Sequence, residues 1–383
     1  MRFLNHVNNT RPCRPRRILC VSKLTSLEYL RSQNADLDVD QILSRMKGEG
    51  LNPDDILAEH QRQIACEQNL ISVLNKLDIS FRITKRMGTA SRYVNWADLV
   101  VTIGGDDMFL LASKLITNNT KPVCGINPNI SKKNTFTVPS KYVADIESMF
   151  EKLYRGDYDT LMRSRIKTIM VGEGLFRRPF HIHEKSSRDR RPKVLTQSIQ
   201  RKIEDSDFQP RERILPWLAL NEVFIGEFLA ARPITLLLDI EEQKSYKIRC
   251  SGMCICTGTG SRFWYKTINI QSAETVEKIV EIATGEKLSR QEIYKILNKY
   301  HQALIYSEED LNMTYMIREM YHNSRCERNN CPSKQKCNKL SVKSFGFDAG
   351  IMIDGSISMP FNDGVVATFE IKPEYSLKTI VLT

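Results

Sequence analysis

The run Asp98-Leu99-Val100-Val101-Thr102-Ile103 narrows the possible folds of this chain more than any other segment. Its apolar side chains do not alternate with polar ones. Both faces of the strand it predicts must therefore be covered, as in a parallel sheet flanked by helices. Gly104-Gly105 ends the run, and Asp106 opens a stretch to Ile116 that reads as a helix. The same alternation recurs on either side. Arg17–Ser22 reads as a buried strand, Ile79–Ile83 and Pro122–Ile126 as further strands. Glu59–Leu77 reads as a helix, with Leu70, Val73, Leu74 and Leu77 at i, i+3, i+4, i+7. Glu28–Asp55 reads as a long polar stretch. Strands alternating with helices over residues 17–160 predict an α/β domain with a parallel sheet.

After Pro216 the pattern turns to β. Leu218–Ile225, Ile234–Ile240 and Tyr246–Ile255 are apolar or β-branched runs, and 345–382 reads as strands with Gly350, Gly355 and Gly364 as turn markers. Thr275–Leu304 returns to helix, with Val276, Ile279, Val280 and Ala283 on one face. Residues 183–213 carry Arg188, Arg190, Arg191 and Lys193, then Glu204, Asp205 and Asp207, without apolar periodicity. Mixed charge with no interleaved aromatics reads as a solvated, mobile insertion rather than a nucleic-acid surface.

A length of 383 residues suggests two or three domains, or one two-domain enzyme. No stretch of 18 apolar residues exists, since Ile214–Leu238 is broken by Glu222, Glu227 and Arg232, so a membrane-spanning helix is excluded. Ten scattered cysteines in a chain of this length read as reduced thiols of an intracellular protein. The net charge of +11 suits an anionic partner. Part of the excess is local: Arg2, Arg11, Arg14, Arg16, Arg17 and Lys23 precede the first acid, Glu28. An arginine-rich, acid-free start fits a mitochondrial transit segment, with a basic disordered tail as the alternative.

Three short constellations carry chemistry. In the first, Gly104, Gly105 and Asp106 close a buried strand and open a helix. Glycine lets backbone approach a ligand, and a helix N-terminus offers N–H groups to an anion. A plain turn with an Asp cap would look the same. In the second, Asn221 and Glu222 stand side by side in an apolar run. Neighbours on a strand face opposite ways, so at least one enters a covered face, where a polar group needs a partner. A bound ligand is one such partner, and an exposed sheet end would remove the need for one. In the third, Thr257-Gly258-Thr259-Gly260-Ser261-Arg262-Phe263-Trp264 combines glycines, hydroxyls and aromatics in a loop that suits a nucleotide, or forms a turn with core aromatics.

In this order and spacing the three segments resemble the motifs of the NAD kinase family: Gly-Gly-Asp-Gly, then Asn-Glu, then a Thr-Gly-Ser loop. The likeness is greatest to the animal mitochondrial members, through Ala219-Leu220-Asn221-Glu222-Val223-Phe224-Ile225-Gly226-Glu227, Cys256-Thr257-Gly258-Thr259-Gly260-Ser261 and Phe361-Asn362-Asp363-Gly364. The resemblance implies a transit segment over 1–16, an α/β nucleotide domain over 17–165, a mainly β NAD-binding domain over 166–344, and a segment 345–383 returning to the first domain. It implies a mitochondrial matrix enzyme, a homodimer, that transfers phosphate from ATP with Mg²⁺ to the 2′-hydroxyl of the adenosine ribose of NAD, giving NADP. Asp106 would orient or deprotonate that hydroxyl. Gly104 and Gly105 would admit phosphates, and Asn221 and Glu222 would grip NAD. Thr259, Gly260, Ser261 and Trp264 would line the adenine pocket.

The chain departs from the family pattern in places. Asp107 stands where the family has glycine, Met108 where threonine is usual, Asn134 where a glycine precedes Phe136, and Phe263 where a small residue adjoins the adenine. Two like charges about 4 Å apart repel by about 4 kcal/mol at an effective dielectric near 20. Asp107 would therefore disfavour a phosphate unless Mg²⁺ bridged them. Two other readings remain open: a catalytically silent NAD-binding homologue, and a lipid kinase of the diacylglycerol type, which shares Gly-Gly-Asp. Cys326, Cys331 and Cys337 lack the paired spacing of a structural zinc site and read as incidental thiols. His181 and His183 carry no catalytic pattern.

Overall fold

The computed structural model describes residues 12–131, 135–172, 180–181, 212–321 and 331–383. Residues 1–11 of the expected transit segment, Asn134, His183, most of the 183–213 insertion and Cys326 lie outside them. The chain divides into two units, Met1–Met162 with Leu377–Thr383, and Arg163–Ser376. The segment that returns to the first unit is thus far shorter than 345–383. The strands Ala349–Ile353, Ile357–Pro360 and Val366–Ile371 pair with strands of the second unit instead.

The first unit is built on a six-stranded sheet. Its strand order is Ser80–Thr84, Arg17–Ser22, Leu99–Ile103, Val123–Ile126, Leu377–Val381, Asp159–Arg163. The pairings Arg17–Ser22 with Ser80–Thr84, Arg17–Ser22 with Leu99–Ile103, and Leu99–Ile103 with Val123–Ile126 are parallel. Leu377–Val381 joins in parallel through Thr379 and Val123. Every residue of Leu99–Ile103 is buried, as an unalternating apolar run requires. Leu70, Val73 and Leu74 of the helix Pro53–Lys76 pack against it in one core with Ile18, Leu99 and Val101.

Glu28–Asp55 is not an irregular polar stretch. It holds the helices Ser26–Gln33 and Val39–Gly48, each opened by a capping box, Thr25 with Glu28 and Asp38 with Gln41. Their apolar residues are few, but Leu27, Ile42 and Met46 are buried together. The capping boxes signal both helix starts, and Val39, Ile42, Leu43 and Met46 at i, i+3, i+4, i+7 signal the second helix by period as well.

A polar chain crosses this part of the unit. The buried Gln63 amide donates to Ser22 Oγ at 2.8 Å and to Ile103 O at 2.9 Å. Ser22 donates to Glu67, and Lys85 pairs with Glu67 at 3.0 Å and Glu28 at 2.7 Å. Burial pushes the Glu28 carboxyl up, but hydrogen bonds from the Lys85 ammonium and from Thr25 outweigh it, and its pKa lies below the ordinary 4.5. A carboxyl depressed in the folded state stabilises fully above its unfolded pKa and loses that contribution as pH falls through the folded value. Stability should therefore drop below about pH 4.5. Glu28→Gln should lower the urea midpoint at pH 7 by the equivalent of about 1 kcal/mol and flatten the acid limb of its pH profile.

The second unit is two antiparallel sheets. One runs in the order Lys244–Cys250, Ile234–Ile240, Lys339–Ser344, Val366–Ile371, Ile166–Val171, Glu212–Ile214. The other runs Lys334–Cys337, Met313–Arg318, Gly252–Cys256, Glu222–Glu227, Ala349–Ile353, Ile357–Pro360, Phe180–His181. Alternate residues of Ile234–Ile240 face inward, and Ile234, Leu236 and Leu238 meet Val223, Ile225, Ile255 and Ile351 of the other sheet in one core. The expected strand Tyr246–Ile255 is two strands, Lys244–Cys250 and Gly252–Cys256, in different sheets. The expected helix Thr275–Leu304 is two helices, Ala273–Thr284 and Arg290–Ala303, the first closed by Gly285 at φ +75°. Among the described residues no helix is long and apolar enough to cross a membrane.

Candidate active site

The motif residues fall in both units. In the first, Gly104 follows the last residue of the central buried strand with φ +153°. A Cβ there would lie 2.6 Å from Met108 Cγ and 3.2 Å from Lys23 Cβ, so conformation and space both call for glycine. Gly105 is the N-cap of the helix Asp106–Ser113, whose first turn carries Asp106 and Asp107. The half-buried Asp106 carboxylate accepts from Thr135 N through Oδ1 at 3.1 Å and Oδ2 at 3.0 Å, and from Phe136 N through Oδ1 at 3.2 Å. Phe136 is itself fixed by stacking on Phe109 of the same helix, centroids 5.0 Å apart and rings 4° from parallel. The loop that carries the Asn134 departure is therefore also the one that grips Asp106. Asp107 is exposed, and its Oδ1 lies 3.0 Å from where a Gly105 Cβ would stand. Its negative charge thus overlies the glycine turn.

In the second unit, Asn221 and Glu222 are both buried, at 5% and 8% exposure. The sheet-end explanation of this dipeptide fails on that observation. Glu222 begins its strand, and Asn221 precedes it. Among the described residues no donor reaches the buried Asn221 Oδ1. A buried amide oxygen without a partner is costly unless a ligand supplies one. The Thr257 hydroxyl donates to Leu220 O at 2.6 Å and accepts from Gly260 N at 3.0 Å, and Thr257 N donates to Asn221 O at 2.9 Å. A Cβ on Gly260 would fall 2.0 Å from Asn221 O. The third motif is thus packed backbone to backbone against the second.

Two expected contributions to an adenine pocket change. Thr259 and Ser261 are fully buried. Thr259 Oγ1 accepts from Arg163 at 3.4 Å, while Ser261 donates to Gly258 O at 2.6 Å and accepts from Tyr306 N at 3.3 Å. These hydroxyls shape the loop and do not face outward, because a tight glycine loop has internal carbonyls and N–H groups to satisfy. Trp264 stacks on Phe224 with centroids 4.4 Å apart and is partly exposed, so part of its surface is left to a ligand.

Sequence reasoning missed Asp354, which lies in the turn between Ala349–Ile353 and Ile357–Pro360. Its Oδ2 accepts from Leu220 N at 3.0 Å, and its Oδ1 from Asn221 N at 2.7 Å and Glu222 N at 3.2 Å. It also missed Arg165, wholly buried, whose guanidinium donates to Tyr375 O at 2.6 Å. Burial pulls Arg165 down to about 9 and the Asp354 carboxylate raises it, so it stays cationic at neutral pH. Only Gly355 was legible there, as a turn marker. Among the described residues of the second unit, burial holds the Cys250 and Cys256 thiols up at about 12, far from the thiolate a nucleophile needs. Among the described residues nine cysteines are free, and no group of three metal-ligating side chains forms.

Two of the three segments that carry the family likeness converge on residues 347–349. Glu227 accepts from Phe347 N at 2.9 Å and Asp348 N at 3.0 Å, and Asn362 accepts from Ala349 N at 2.9 Å. Both therefore hold one turn, which places their work in folding.

No family model matches the chain. Curated relatives do. The chain is 31% identical to a human protein named NAD kinase 2, mitochondrial, over 96% of this chain and 85% of that one. It is 30% identical to the rat protein of the same name, over 96% and 88%. Among solved structures, an Archaeoglobus fulgidus NAD kinase in complex with ATP matches with TM-score 0.50 and 13% identity, covering 95% of this chain and 92% of that one. A yeast NADH kinase complexed with NADH matches with TM-score 0.53 and 11% identity, covering 97% and 84%. At such identities these structures speak for the fold, an α/β domain with a mainly β domain, while the curated relatives carry the assignment: this chain belongs to the NAD kinase family.

Proposed function

We propose that the chain transfers the γ-phosphoryl group of ATP to the 2′-hydroxyl of the adenosine ribose of NAD, yielding NADP. The observation that carries this is the Asp106 carboxylate, gripped by two backbone N–H groups beside a turn only glycine can make. Phosphoryl transfer asks a protein mainly for positioning and charge neutralisation. A carboxylate with restricted freedom aligns the attacking hydroxyl and takes its proton late. Gly104 and Gly105 let the phosphates come close to the backbone. Asn221 and Glu222 hold NAD, and Trp264 offers part of its surface to the adenine. Mg²⁺ enters on ATP, as the donor substrate, and needs few carboxylates of the protein.

The names of the relatives and the basic first residues support a mitochondrial enzyme, in our reading of the matrix, and we place it there as a homodimer. Purified chain given ATP, Mg²⁺ and NAD should form NADP. NAD binding without NADP would replace this reading with the silent homologue, and turnover of diacylglycerol with the lipid kinase.

Asp107→Gly probes the departure whose charge opposes the reading. Its repulsion of a phosphate is screened by exposure and by the metal on ATP, so the substitution should leave kcat between unchanged and about tenfold higher. A collapse of kcat would instead make Asp107 a Mg²⁺ holder.

A further inference from the structure

We infer that Asp354 is the positioning residue for the NAD-binding dipeptide, its carboxylate aiming Asn221 and Glu222 at the acceptor nucleotide with Arg165 as its buried counter-charge. This rests on the reading of Asn221–Glu222 as the NAD grip. Three successive backbone N–H groups, of Leu220, Asn221 and Glu222, point at one carboxylate. Such convergence is how backbones build anion nests, but here the anion belongs to the protein. Asp354 N donates back to Glu222 O at 2.9 Å, so the dipeptide is held from both its donor and acceptor sides. Thr257 takes the carbonyls of Leu220 and Asn221 from another direction. The backbone of the segment is thereby fixed, and with it the direction in which the Asn221 side chain leaves the chain.

Two features say this is more than a turn cap. Asp354 is 7% exposed, so its carboxylate is buried, while its left-handed backbone at φ +43° is one that Asp adopts readily before Gly in a hairpin turn. Arg165 is 0% exposed, and Asp354 lies near enough for its charge to favour the buried guanidinium. A buried charge is tolerated when paired and hydrogen-bonded, and Arg165 also donates to the Tyr375 and Ser376 carbonyls. The strand before the turn, the linker carrying Arg165 and the binding dipeptide are thereby tied at one point.

The test uses the full chain, with NAD affinity by calorimetry, KM for NAD and ATP, and thermal melting. Asp354→Asn keeps the size but not the charge. Asp354→Gly removes the whole side chain at a left-handed position that both Gly and Asn accept, and thermal melting reports which variants are folded. Asn221→Ala reports on the underlying grip. We expect both Asp354 variants to raise the NAD Kd at least about tenfold, with KM for ATP within about twofold of native. Folded Asp354 variants with native NAD affinity, beside a weakened Asn221→Ala, would overturn the inference and leave the NAD grip standing. Equal losses for NAD and ATP would also overturn it, as a general structural effect. Native NAD affinity in Asn221→Ala would remove the grip itself.

Discussion

Asp106→Asn should cut NADP formation about a thousandfold in kcat while NAD affinity stays within about threefold of native. A positioned general base contributes about a hundred- to ten-thousandfold, and Asn can neither take a proton nor carry the charge. It does retain an oxygen that can accept from Thr135 N or Phe136 N, so the loop keeps part of its anchor. NAD binding should be preserved because the dipeptide we propose as its grip, Asn221 and Glu222, belongs to the other unit. Single-turnover kinetics with saturating NAD and ATP separates the two effects. Native turnover in this variant would strip Asp106 of its role.

Gly260→Ala should be nearly as damaging, by a different route. The new methyl carbon would lie 2.0 Å from Asn221 O, 2.5 Å from Asn221 C and 2.9 Å from its Cα. All three atoms belong to the backbone of Asn221, in the dipeptide we propose to hold NAD, so no rotamer change relieves the clash. Overpacking against movable side chains costs about 1–3 kcal/mol, and an immovable backbone puts the cost at the top of that range. KM for NAD should rise at least about a hundredfold in whatever protein remains folded, and the melting temperature should fall by several degrees, about 1 kcal/mol corresponding to a few degrees in a domain of this size. Gly88→Ala is the matching control, since nothing lies within 4 Å of its added Cβ and it sits in the helix Met87–Tyr93. It should melt at or slightly above the native temperature. An unchanged KM for NAD in Gly260→Ala would show that the loop does not brace the dipeptide.

What the sequence makes legible follows the physics of each signal. Leu99–Ile103 needs no context, because five consecutive buried positions leave a single reading, and the structure begins it within one residue of the expected start. Ser26–Gln33 escapes because eight residues with one of them buried have almost no periodicity to detect, whereas Val39–Gly48 carries Val39, Ile42, Leu43 and Met46 at i, i+3, i+4, i+7 and is legible by period. The motifs name candidate residues, but not the division of labour among them. Thr259 and Ser261 look like ligand donors by composition, yet a loop this tight spends them on itself. Asp354 is invisible for the opposite reason. Its partners, Leu220, Asn221 and Glu222, lie more than 130 positions earlier, a relation only the sheet pairing creates.

Leu377–Val381 takes its place beside Val123–Ile126 in the first sheet, and Ile380 and Leu382 enter that unit's core. The order of synthesis then matters. A ribosome makes the nucleotide-side unit first but cannot supply this strand until the whole of the other unit has emerged. Until that moment Val123–Ile126 presents an open edge, which is a template for aggregation. A nascent chain stalled before residue 377 should depend on chaperones, and a stop codon there should remove protein from cells even though every motif residue has already been translated.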